Sequence, residues 1–267
     1  MKVPLSVVII AKNEEKQIEE CIQSVNDWVD EIVVVDDDST DKTAEIVSKY
    51  TDKIFQRRMD LEGKQRNFGV SKTRNDWVMM LDCDERVTPE LKEEIKTTLA
   101  KPDPVIVGYW VPQINYLGNF QLKHGGWTAP HIRLYNKNHL RWKEIPQDVV
   151  HPGIEIDKGY KGGNLQYSLI HYNFASVEDF IKKVNRQSTL EAIKWHISKK
   201  NMTQGKAIWR MVDRFFRRFV GKGGWKDGYY GFVGAVLSGF YEFAAYSKLK
   251  EIRERKAYLK EYGIKEE

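Results

Sequence analysis

Cysteine is nearly absent: Cys21 and Cys83 are the only two in 267 residues. Two thiols give no disulfide framework and no cysteine metal cluster, which excludes the small stapled secreted class and fits a reducing, cytosolic setting. No G-x-G-x-x-G follows the first apolar run and no P-loop occurs, so a dinucleotide oxidoreductase is not expected. The six histidines (His124, His131, His139, His151, His171, His196) show no HxxxH or HExxH spacing, so no zinc site is expected, and a lone histidine in such a chain reads as structural. Internal repeats and low-complexity tracts are absent. Met1-Lys2-Val3-Pro4 leads straight into a strand-like run too short for the apolar core of a secretory signal, so none is expected. A long apolar run is missing too. Gly228 to Tyr246 carries one charge, Glu242, and has about the length of a membrane span. It is rich in Gly and Tyr rather than Leu and Ile, and Glu242 would be costly at bilayer depth.

What is present is an ordinary globular composition, 41% hydrophobic and 30% charged, long enough to bury a real core. The net charge of +5 is uneven. Residues 205–267 hold 14 Lys/Arg and 8 Asp/Glu, a balance of +6, leaving about −1 for the first 204. A near-neutral body with a basic tail suggests that the tail meets something anionic. Within 206–246, aromatics such as Trp209, Phe216, Trp225 and Phe240 alternate with Arg210, Arg214, Arg217, Arg218, Lys222 and Lys226. Two readings stand: an amphipathic element lying on a membrane surface, or a helical subdomain packing its aromatics against the body. A non-enzymatic single-strand nucleic-acid binder would use the same residues, but the balanced body and acidic strand ends argue against it.

Leu5 to Ala11 and Glu31 to Asp36 read as strands buried on both faces, Lys53 to Gln56 as a short third, Trp77 to Leu81 as a fourth and Val105 to Pro112 as a fifth. Helical spacing recurs at Ile18, Ile22 and Val25, at Ala44, Ile46 and Val47, from Gln65 to Ser71, and at Leu91, Ile95 and Leu99 behind Thr88-Pro89. Ser39, Thr40 and Asp41 are candidate N-caps for the second of these helices. This β-α-β-α order predicts an α/β domain with a mainly parallel sheet and helices on both faces. Residues 113–163 are looser, with strand-like pieces such as His131 to Tyr135, and Ser176 to His196 is helical again.

The chemistry gathers where strands end. The first predicted strand ends in Ala11-Lys12-Asn13-Glu14-Glu15, the second in Asp36-Asp37-Asp38-Ser39-Thr40-Asp41, the fourth in Asp82-Cys83-Asp84-Glu85. In parallel sheets ligands sit beyond the carboxyl ends of strands. Carboxylates crowded there need a cation or hydrogen-bond donors, and Mg²⁺ or Mn²⁺ bridging to a substrate diphosphate needs only one or two from the protein. Gly63-Lys64-Gln65-Arg66-Asn67-Phe68-Gly69 adds positive charge, with Arg66 offering a planar fork for phosphate or a base edge.

Taken in order, Ala11 to Glu15, Asp36 to Asp41, Gln65-Arg66-Asn67 and Trp77 through Glu85 resemble glycosyltransferase family 2, inverting enzymes of the GT-A fold. The branch most similar is that of the lipopolysaccharide-core β-1,4-glucosyltransferases. The likeness covers residues 4–100 and resumes at Leu169 to Tyr172, Lys183 to Arg186 and Gly224 to Phe232. It implies a nucleotide-sugar donor, with uracil the family's common base, and a glycan or lipid-linked saccharide acceptor. It also implies Mn²⁺ or Mg²⁺. Ala11, Glu14 and Asp36 would line the nucleobase pocket, Arg66 would flank the base or diphosphate, and Asp82 would face the ribose. Asn13, Asp38 and Cys83 complete the donor-binding set, and Asp84 would bind the metal. Inversion needs a base for the acceptor hydroxyl. The branch has Val-His-Glu where this chain has Val150-His151-Pro152, so Asp148, Glu144 or His151 would serve, Asp148 being favoured.

The expected organisation is a GT-A domain over 1–204, with 1–100 for the nucleotide sugar and 101–204 on the acceptor side, then a helical, membrane-associating segment over 205–267. The expected setting is cytoplasmic, peripheral on the inner face of the cytoplasmic membrane, without nucleic acid. The alternative is an aspartyl-phosphate phosphohydrolase using Asp36 and Asp38, whose Asp36-x-Asp38-Ser39-Thr40 resembles the haloacid dehalogenase nucleophile motif. That motif normally lies on the first strand.

Overall fold

A computed structural model describes residues 2–145 and 152–259. In chain order the elements are β1 (Val3–Ala11), α1 (Ile18–Gln23), β2 (Val29–Asp36), α2 (Thr43–Ser48), β3 (Ile54–Gln56), α3 (Glu62–Ser71), β4 (Trp77–Asp82), β5 (Glu85–Val87), α4 (Pro89–Ala100) and β6 (Ile106–Val111). They continue with β7 (Gln113–Leu117), β8 (Phe120–Leu122), β9 (His131–Asn136), β10 (Leu140–Trp142), β11 (Ile154–Ile156), β12 (Lys161–Asn164) and β13 (Leu169–Phe174). Three helices close the chain: α5 (Val177–Ile197), α6 (Gln204–Phe216) and α7 (Gly228–Arg255). Two compact units result: Met1–Ile114 with Ala129–Asn173, and Asn115–Thr128 with Phe174–Glu267. The division falls at 174 rather than at the expected 205, because Ala192, Ile193 and Trp195 of α5 share a core with Ala245, Leu249 and Ile252 of α7.

The first unit is built on a seven-stranded sheet in the order β12-β6-β9-β4-β1-β2-β3. β3, β2, β1 and β4 run parallel, while β9 runs antiparallel to both β4 and β6. Central strands of such a sheet are buried on both faces, which is why Val7 to Ala11 of β1 and Ile32 to Val35 of β2 are continuous apolar runs rather than alternating. Val7 and Ile9 point into one core with Ile18, Ile22, Val47, Leu91 and Ile95, the residues of α1, α2 and α4. Val8 points into the other, with Val33, Val78, Met80 and Trp142. α3 lies on that second face and approaches closely. A Cβ on Gly69 would stand 2.6 Å from Val8 Cγ1 and 3.1 Å from Val35 Cγ2.

In the second unit, Leu117 and Leu122 of the β7–β8 hairpin share a core with Phe174, Phe180 and Val184, and Trp127 packs on it. Trp127 stands edge-on to Phe174 and Phe180 at 5.7 Å, and the Arg218 guanidinium lies 4.1 Å over its ring. Burial lowers that guanidinium to about 10, with Arg214 and Arg217 adding to the shift. Glu242 is buried on α7 and answered by Arg210 and Arg214 of α6, each at 2.7 Å. This is how an acid persists in the otherwise uncharged stretch from Gly228 to Tyr246. Among the described residues no helix is long and apolar enough to cross a membrane.

Gly69→Val is expected to cost about 1–3 kcal/mol, because overpacking forces α3 away from β1 and β2. Urea unfolding of the variant beside the parent measures it.

Candidate active site

Strand register decides what meets at the carboxyl edge of the sheet. Asp36 on β2 stands opposite Ala11 on β1, and Asp82 on β4 stands opposite Ile10 on the other side of β1. The two aspartates therefore flank one strand end, about 10 Å apart at two inter-strand spacings. The loops that follow β1 and β2 are laced together. Asn13 N donates to Ser39 Oγ (2.9 Å), Thr40 N to Asn13 Oδ1 (2.8 Å), Glu14 N to Thr43 Oγ1 (2.8 Å) and Glu15 N to Asp41 Oδ2 (3.1 Å). Asn13 and Asp38 take left-handed backbone, φ 55° and 53°, which Asn and Asp tolerate better than other non-glycine residues. Asp41 serves the start of α2 as expected, its Oδ1 accepting from Thr43 N (3.0 Å) while its Oδ2 fastens the neighbouring loop. Ser39 does not, since its Oγ holds Asn13 N, and Lys42 at the N-cap position makes no side-chain cap bond.

Asp36 is buried. Its Oδ2 accepts from Ser39 N (3.2 Å), while Oδ1 is buried with no partner. Such an orphan acceptor calls for an N–H or O–H from outside the protein. Ala11 beside it is buried, Glu14 half-buried, and Asn13 and Asp38 are exposed.

The turn after β4 is held by arginines. Arg133 on β9 reaches Asp82 and Glu85 through one nitrogen, 2.5 Å to each. Glu85 is fully buried, accepts from Asp82 N (3.0 Å) and takes Gln113 Nε2 (2.6 Å) as a further donor. Arg66 on α3 lies 3.6 Å from Asp82 and 4.8 Å over the Trp142 ring, with one guanidinium nitrogen buried and unpartnered. Burial alone would raise the Asp82 carboxyl, but Arg133 and Arg66 outweigh it and hold it far below the usual carboxylate range. Burial raises the Glu85 carboxyl, with Arg133 opposing. Arg86 donates to the Cys83 carbonyl (2.7 Å) and to the Gln17 carbonyl (3.0 Å), tying the turn to the segment before α1. Cys83 itself faces inward: its thiol is buried and donates to Ile10 O (3.4 Å). Any contact of this residue with a donor is therefore left to its main chain.

Asp84 and His171 face each other, Oδ2 to Nε2 at 3.4 Å. β5 and β13 place them, pairing Glu85 with His171, while Tyr172 N donates to Asp84 O (2.8 Å). No cluster of three or more His, Cys, Asp or Glu suited to a metal occurs among the described residues. The Asp84 carboxylate nonetheless offers one oxygen to a hard divalent ion whose remaining ligands are phosphate oxygens and water, while the imidazole beside it is a softer donor than such an ion prefers. Asp82, already matched to two guanidinium groups, is not part of that pair.

Of the three candidate bases, Asp148 and His151 lie outside the described residues. Glu144 is exposed and accepts from Asn67 Nδ2 (2.8 Å), which also bonds Trp142 O (2.9 Å). Lys143 N donates to Gly153 O (2.8 Å). Gly63 leaves room for this stem, since a Cβ there would meet Lys143 O at 2.0 Å and Pro152 Cβ at 3.3 Å. The residues flanking 146–151 therefore stand on α3, the helix that carries Arg66.

Residues 6–154 match the profile of Glycosyl transferase family 2. The chain belongs to glycosyltransferase family 2. The lipopolysaccharide core biosynthesis glycosyltransferase LpsC of Rhizobium meliloti (strain 1021) is 32% identical over 265 residues, 96% of this chain and 95% of LpsC. An uncharacterized glycosyltransferase of Rickettsia bellii (strain RML369-C) is 29% identical over 264 residues, 93% of this chain and 86% of its own length. In fold, the chain resembles the mannosyltransferase PcManGT of Pyrobaculum calidifontis, solved with GDP-Man and Mn²⁺. The TM-score is 0.54 at 11% identity, with 95% of this chain and 89% of that one covered. The fold of this family 2 enzyme is thus GT-A, and the phosphohydrolase alternative finds no support.

Two residues to which the sequence assigned no role, Arg133 and His171, are brought to the edge by the fold. Arg133 interrupts the apolar run Ile132-Arg133-Leu134 on β9, and a charge in a buried strand demands a partner. His171 gave no spacing signal, because its neighbour Asp84 lies far away in sequence. Arg133→Met is expected to cost about 3–5 kcal/mol in urea unfolding, since it strands Glu85 in the core. Part of that loss should return as pH falls, because the folded variant then protonates Glu85 before the unfolded chain does.

Proposed function

We propose that this glycosyltransferase moves a sugar, with inversion, from a uridine-diphosphate donor to a lipid-linked core saccharide or similar glycan, and that it depends on Mn²⁺ or Mg²⁺. The observation that carries the reading is the single edge on which buried Asp36, with its unpartnered Oδ1, lies across β1 from Asp82, two residues before Asp84 and its neighbour His171. Asp36 Oδ1 accepts the N–H of the base, with Ala11 and Glu14 beside it. Asn13 and Asp38 line the mouth of the same pocket. Asp82, kept ionised by Arg133 and Arg66, accepts from a ribose hydroxyl. Arg66 directs its spare N–H toward the diphosphate. Asp84, with His171 beside it, would hold the ion, whose charge would offset that gathering on the leaving diphosphate. The acceptor hydroxyl attacks the anomeric carbon from the opposite face as the carbon–oxygen bond to the diphosphate breaks, and a carboxylate takes its proton. Asp148 is the base proposed, with Glu144 and His151 as the other candidates. The similarity to LpsC, a lipopolysaccharide core biosynthesis glycosyltransferase, supports this acceptor class.

A thermal-shift series of nucleoside diphosphates with and without Mn²⁺ should show stabilisation by UDP that requires the metal, because ligand bound to the native state alone raises its stability. Asp84→Ala should remove that metal dependence and abolish transfer, and unchanged turnover would refute the metal role. Asp148→Asn should keep UDP stabilisation but lose transfer by about a hundredfold or more. If Glu144→Gln does so instead, the base lies there.

A further inference from the structure

The second unit carries apolar surface where a water-soluble fold needs none. On α6, Ile208, Val212 and Phe216 recur every fourth residue and are exposed, and Trp209 beside them is 66% exposed. On α7, Tyr229, Phe232, Val236, Phe240 and Phe243 form a second exposed stripe at helical spacing, opposite the buried Ala235, Ser238, Glu242 and Ala245. α7 is therefore apolar on two sides, one buried and one outward, whereas α6 turns Arg210 and Arg214 to Glu242 of α7 and its apolar stripe outward. Ring contacts join the stripes: Phe216 stands on Phe215 at 5.2 Å and Phe215 on Phe232 at 6.0 Å. Contiguous apolar surface of this kind marks a docking face.

Charge names the occupant. Residues 206–228 hold seven Lys/Arg and two Asp/Glu, a balance of +5, equal to that of the whole chain. Their acids are already spoken for: Asp213 pairs with Arg217, and Asp227 is buried on His124. An open groove beside Trp209 is lined by Arg210, Arg214 and Arg217 together with Asp213 and Glu242, which pair with them, so three cations face two acids there and the groove keeps a net positive charge. A second copy is the poorer fit, since a twofold interface sets a patch against itself and would bring +5 against +5. We propose that the outward face of α6 and α7 docks on an anionic lipid surface, its aromatics entering the headgroup boundary and its cations lying among the phosphates. This goes beyond the catalytic reading and does not depend on it.

The test is sedimentation of the full chain with vesicles of phosphatidylcholine alone, and of phosphatidylcholine with phosphatidylglycerol, at low and high salt. Binding is expected to the anionic vesicles, to fall with salt, and to drop by about tenfold or more in the combined variant Trp209→Ser, Phe216→Ser, Phe240→Ser. These are exposed positions, and UDP thermal shift in the variant reports separately on the catalytic unit. Equal binding by parent and variant, or none to either vesicle, overturns the proposal. So does a concentration-dependent dimer that the variant abolishes without any vesicle binding, or salt-sensitive binding to single-stranded RNA in its place.

Discussion

Carboxylates crowded on one edge of a sheet repel one another unless a cation answers them, and Arg133 supplies that answer from within the protein. It rises from the one antiparallel strand between two parallel pairs and meets Asp82 and Glu85 together. Glu85 in turn accepts the Asp82 N–H. The turn that bears Asp84 is thereby fixed from below before any ligand arrives. Preorganised charge of this kind needs no rearrangement when a substrate binds.

The rest of the edge follows the same economy of groups. Each loop that borders it is tied to another by side chains whose main use is to hold backbone: Asn13 to Thr40, Ser39 to Asn13, Arg86 to the Cys83 carbonyl. What remains unsatisfied is then informative. Asp36 Oδ1 is buried without a partner, and so are nitrogens of Arg66, Arg86, Arg133 and His171 in the same unit. An acceptor and a cationic donor left over at one sheet edge suit a ligand that presents an N–H and an anion, as a nucleoside diphosphate does.

The second unit solves a different problem. A helix such as α7 that is apolar on two sides would slide or aggregate unless something fixed its rotation. Glu242, gripped by Arg210 and Arg214, sets that rotation, because turning the helix would strand a buried charge. The outward stripe is then a consequence of the inward one: burying Ala235, Ser238 and Ala245 leaves Val236, Phe240 and Phe243 facing out.

The sequence by itself determined the α/β class, the strands that end in Ala11, Asp36 and Asp82, the family, and the uneven charge. Those features are local, or repeat with the period of a strand or helix, so neighbouring residues report them. Tertiary structure alone decided the partners. Arg133 finds Asp82, and His171 finds Asp84, only because a sheet orders its strands by packing rather than by chain position. Cys83 turned inward for a like reason: the pleat and the turn after β4, not residue type, choose which side chain enters the core. The inclusion of α5 in the second unit was likewise invisible, since its apolar face fits a catalytic body or a helical one equally well until α7 lies against it.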